Sequence, residues 1–160
     1  MPISIRLKFW FFEQYWWLLA LGILLTVSVL TVLKEPLPTV ATFVGAILSV
    51  TYFLQKQKLE EMKLFREIFK ECNERYDKMN EDLDRIAALD AQSLSAADRA
   101  RIVDYLNLCG EEYLYFKRGY IEPTVWQAWY AGMKSVVAAP CINHVWQAEK
   151  GTGSYYDLPL

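Results

Sequence analysis

The residues best suited to hold a ligand lie near the end of the chain. Asn143, Gln147 and Lys150 recur at spacings of four and three on one side of a predicted helix, with Trp146 beside Lys150 and His144 adjacent. An amide can pair with the edge of an adenine, an indole can stack on a base, and a cation can meet a phosphate. Arg118, with Lys117, supplies further positive charge at the end of an earlier helix. In the competing reading Trp146 belongs to the core, while Asn143, Gln147 and Lys150 face water. Several copies of the chain around one central ligand would favour the first reading, because symmetry multiplies every donor.

Enzyme chemistry has little to work with. His144 is the single histidine, which leaves out histidine-pair metal sites and a two-histidine mechanism. No G-x-S-x-G, P-loop or H-x-x-E pattern occurs. Glu111 and Glu112 are neighbours that point to different helix faces, so they read as surface acids or as partners of Lys117 or Arg118. Neither catalytic residues, nor a metal site, nor a cofactor is expected. Cys72, Cys109 and Cys141 are odd in number and widely spaced, which suits buried apolar residues in a reducing compartment. After Gln55 there are 14 basic and 17 acidic residues, a balance of −3 that disfavours duplex nucleic acid as a partner.

What must position these residues begins in the first third. Residues 14–33 and 37–55 form two uncharged runs, each close to the ~20 residues that cross a bilayer. Lys34, Glu35, Pro36 and Pro38 break them apart. Phe9, Trp10, Phe11, Phe12, Tyr15, Trp16 and Trp17 crowd the start of the first run, as headgroup-level aromatics do. Two such runs with a proline-marked turn predict a transmembrane hairpin over 1–55. The length of the first run and the second one behind it argue against a cleaved signal peptide. Arg6 and Lys8 precede the hairpin and Lys56, Lys58, Lys63 and Arg66 follow it, which places both termini in the cytoplasm. Residues 56–160 then form one small cytosolic helical domain.

In the second span Ala41, Thr42, Gly45 and Ser49 lie at small-residue spacing. Such residues let helix backbones approach, within the hairpin or along an oligomer seam that could line a pore. No glycine or proline interrupts the chain from Gly45 and Pro38 onward until Gly110, so the second span should continue as a helix to about Leu89. Met62, Phe65, Phe69, Cys72, Tyr76, Met79, Leu83 and Ile86 form its heptad stripe. Its aromatics suit a globular core better than a two-stranded stalk. Ser95 with Asp98 reads as a capping box, and Lys117, Arg118 and Gly119 as the matching helix end. Pro123 opens the next helix, and a short one follows over about 141–150. No strand pattern competes, so the predicted class is all-α.

The runs Tyr105-Leu106-Asn107, Glu111-Glu112-Tyr113, Lys117-Arg118-Gly119-Tyr120-Ile121 and Val125-Trp126 through Trp129 to Gly132-Met133 are similar to those of bacterial membrane-anchored proteins with a small helical cytosolic domain. Within that group the two short spans and the roughly hundred residues behind them resemble the Csx-type membrane effectors associated with type III CRISPR systems. The resemblance implies a homotetramer with an antiviral role, activated by cyclic tetra-adenylate that perturbs the transmembrane part. The alternative is a constitutive inner-membrane scaffold, docking a protein partner through a Trp126/Trp129 surface.

Overall fold

A computed structural model describes residues 3–160, without the side chains of 3–6, 8, 11 and 18. The side chains of Arg6, Lys8 and Phe11, invoked for orientation and for the aromatic belt, therefore lie outside the described part. Among the described residues the chain is all-helical, with no strand. Five α-helices follow in order: α1 (Ile3–Val32), α2 (Leu37–Ala87), α3 (Ala96–Lys117), α4 (Pro123–Val137) and α5 (Pro140–Glu149). The chain divides into two compact units, 1–63 and 64–160.

In the first unit, two helices are long and apolar enough to cross a membrane, and almost none of either apolar stretch is buried. The break between them is a helix end built on a lysine. Lys34 takes the left-handed conformation at φ 54°, and the Glu35 amide reaches back to the Leu30 carbonyl at 3.0 Å. Pro36 then opens α2, its carbonyl accepting from Thr39 at 2.9 Å. On α2 the half-buried positions Val44, Ile47, Thr51, Leu54 and Lys58 recur at three and four. Lys58 closes the series by donating to the Phe12 carbonyl at 3.1 Å and standing 5.7 Å from the centre of the buried Tyr15 ring. Ala41, Thr42, Gly45 and Ser49 fall on the other side and are exposed. A Cβ added at Gly45 would meet nothing within 4 Å. Packing inside the hairpin is therefore not what these small residues serve.

The second unit is assembled on the last turns of α2. Ile68, Cys72, Met79, Leu83 and Ile86 are buried against α3, α4 and α5. The stripe differs from the expected heptad at its start, where Ile68 takes the inward place. Phe69 is 39% exposed and lays its ring on Trp129, centroids 5.5 Å apart and 17° from parallel. Met62 is 60% exposed.

Local chemistry sets each boundary. The Ser95 hydroxyl accepts from the Asp98 amide at 3.1 Å, and Asp98 accepts from the Ser95 amide at 3.2 Å. This completes the capping box and satisfies donors that the first turn of α3 leaves free. Asp98 also takes a 2.7 Å bond from Arg85, tying the start of α3 to the end of α2. Together Ser95 and Arg85 hold its carboxyl down at about 2. At the far end Gly119 takes φ 75°, and Tyr120 bonds back to Tyr115 at 3.0 Å. Pro123 and Pro140 stand in the first turns of α4 and α5. The segment after Glu149 lacks helical periodicity, yet its Tyr155 and Leu158 are buried in the core.

Candidate functional site

Two hollows open in the second unit, on either flank of the same turns of α2. The larger, about 430 Å³, is lined by Arg75, Lys78 and Met79 of α2, by Arg101, Asp104, Asn107 and Glu111 of α3, and by Ser154 and Tyr156 of the tail. Its volume lies within the range of small-molecule sites. Arg75 forms a two-pronged pair with Glu111, the second bond at 3.2 Å, and Arg101 pairs with Asp82 at 2.9 Å. The tail is held over this side by Lys117, which donates to the Tyr156 carbonyl at 3.1 Å. Lys78 is exposed and, among the described residues, forms no ion pair or hydrogen bond with its ammonium. An incoming phosphate would therefore meet one ready cation, two guanidinium groups already fixed in place by carboxylates, and the Asp104 carboxylate beside them.

The smaller hollow, about 190 Å³, has a different character. Asn73, Tyr76, Tyr105, Leu108, Ala128, Trp129, Gly132 and Met133 surround Glu112. Glu112 is 8% exposed. Among the described residues no donor or cation pairs with its carboxyl. Burial is the main cause that pushes its pKa up to about 8; Arg75 pulls the other way and Glu111 adds to the rise. Burial likewise raises Tyr105 and Cys109, and lifts Cys72 to about 12, so these three stay protonated around neutrality.

The residues expected from sequence fall elsewhere. Trp146 is a core residue: its indole N–H donates to the Leu160 carbonyl at 3.1 Å, and its ring meets Tyr155 edge-on at 5.5 Å. Neither face of that ring is free to stack on a base. Asn143 donates to the Val137 carbonyl at 3.3 Å, and Gln147 donates to Asn143 at 3.4 Å. His144, Lys150 and Arg118 are exposed. None of the six lines either hollow. The two glutamates also differ from expectation, since Glu111 pairs with Arg75 rather than with Lys117 or Arg118, and Glu112 is buried without an ion pair. Trp126 is packed between Tyr113, Phe116 and Tyr130, so it offers no docking face beside Trp129.

Arg75, Lys78 and Arg101 match no motif in the sequence and were not among its candidates. A signal for Glu112 was present: it follows Tyr105 and Leu108 at i+7 and i+4, the spacing of one helix face. Comparison with known protein families, curated proteins and solved structures finds no match to this chain.

Proposed function

We propose that the chain is a ligand-gated membrane effector. The hairpin spans a bacterial inner membrane with both termini in the cytoplasm, and the helical unit binds a cyclic oligoadenylate made during infection. What supports this reading is α2. One uninterrupted helix carries residues of a bare apolar span and, through Arg75 and Lys78, residues of the larger hollow.

A hollow of about 430 Å³ takes one nucleotide unit rather than a whole ring. A cyclic tetranucleotide would thus be shared by four copies, each presenting its own hollow. The exposed Ala41, Thr42, Gly45 and Ser49 supply a seam for that assembly. Their hydroxyls are already satisfied, Thr42 by the Pro38 carbonyl and Ser49 by the Gly45 carbonyl, both at 2.9 Å, so the seam can meet lipid or another helix. Turning a population from about 1:99 to 99:1 needs a ~10⁴-fold preference for the active state. Shared by four subunits, that is about tenfold each.

The test uses the full chain in dye-loaded liposomes. Leakage is expected on adding cyclic tetra-adenylate and not before, and Lys78→Ala should shift the required nucleotide concentration upward by about tenfold with an unchanged melting temperature. Liposomes that stay tight with every ring size, or leak without nucleotide, would remove the proposal.

A further inference from the structure

The Glu112 hollow is built for something other than a phosphate. A carboxyl that is 8% exposed normally finds a donor or a cation, because leaving it without one costs free energy. Here it opens instead onto space. Asn73 lines the same space; one N–H of its amide goes to the Phe69 carbonyl at 2.7 Å, and its side-chain oxygen remains an acceptor. Aromatic walls come from Tyr76 and Tyr105, with centroids 6.1 Å apart, and from Trp129. Aromatic faces attract cations. No cationic side chain lines the hollow, and Arg75 beyond it is engaged by Glu111.

We infer that the hollow bounded by Glu112, Asn73, Tyr76, Tyr105 and Trp129 is a binding site for a small primary alkylammonium ion. Its ammonium hydrogens would go to the Glu112 carboxylate and the Asn73 oxygen, and its short apolar tail would lie against Met133. The volume of about 190 Å³ falls below the usual range for drug-sized ligands, which rules out a nucleotide and fits a chain of a few carbons.

The site carries its own signature. Glu112 is mostly protonated at neutral pH when the hollow is empty, and it must ionise to hold an ammonium, so binding releases a proton. The other titratable groups around it are Cys72, Arg75 and Tyr76 on α2 and Tyr105, Cys109 and Glu111 on α3; α4 brings none to the hollow. The thiols and phenols are pushed upward, away from neutrality, and the bond to Glu111 raises Arg75 further. Affinity should then rise about tenfold per pH unit below ~8 and level off above it.

The probe is butylammonium chloride, titrated calorimetrically into the full chain in detergent, with 1-butanol as the neutral match and Glu112→Gln as the reference that cancels partition into micelles. The expected result is binding of butylammonium that exceeds 1-butanol at least tenfold, strengthens from pH 6 to 7.5, and is lost in the Gln protein. Equal binding of the alcohol, a flat pH profile, or full retention by the variant would each overturn the assignment. The first two comparisons need only the unaltered chain, so they stand even should the variant fold poorly.

Discussion

Glu112 also makes the stability of the helical unit depend on pH in an unusual direction. Its carboxyl ionises near 4.5 when free and near 8 in the folded chain, because the fold buries it. Between those values the native state binds a proton that the unfolded state has released, so stability falls as pH rises. The contribution of the neutral form is complete below pH 4.5 and is lost as pH climbs through 8. A shift of about three and a half units at 1.36 kcal/mol each is close to 5 kcal/mol, and water entering the hollow lowers this to about 3–5 kcal/mol. Glu112→Gln matches the neutral form in shape and cannot ionise. Guanidinium unfolding of both proteins in detergent, followed by near-UV circular dichroism, should give nearly equal stabilities at pH 5. By pH 8.5 the Gln protein should be the more stable by about 3–5 kcal/mol. Parallel curves from pH 5 to 8.5 would show that the carboxyl is neither desolvated nor unpaired, and the reasoning about the hollow would fail with it.

Two further outcomes follow from the packing. Ser95→Ala removes one arm of the capping box and loosens Asp98 from its place beside Arg85, so unfolding should become easier by about 1–2 kcal/mol. Gly110 lies where a Cβ would stand 3.5 Å from the Tyr155 backbone. Gly110→Leu should therefore lift the tail from α3, cost about 1–3 kcal/mol, and expose the segment after Glu149 to limited proteolysis.

Helix ends were the most legible part of this chain, because their chemistry is local. The Ser95–Asp98 box, the Gly119 stop and the Pro123 start each need only a few consecutive residues, and all three stand where the spacing put them. The helix through Tyr52 and Leu59 toward Leu89 was equally readable from the absence of breakers, and it ends at Ala87. What escaped was set by partners distant in sequence. Phe69 fits the heptad as well as any residue, but α2 packs on several helices rather than one, and Trp129 draws that ring to the surface. Trp146 could stack on a ligand or fill the core until Leu160 comes into view as the acceptor for its indole. Arg75 and Lys78 share one face of α2, but Arg101 lies on another helix 23 residues further on, with nothing in composition to bring it to them.

The two hollows are not independent. α2 gives Arg75 and Lys78 to one and Asn73 and Tyr76 to the other, while α3 gives Glu111 to the first and Glu112 to the second. The charge of Arg75 is felt by Glu112, where it favours the ionised form. A phosphate drawn to Arg75 offsets that charge, so it makes Glu112 harder to ionise. Linkage then demands reciprocity, because whatever factor an anion in the larger hollow imposes on ammonium affinity, an ammonium must impose on the anion. That coupling has a structural origin: two adjacent acids on α3, each facing its own hollow, and one arginine whose charge reaches both.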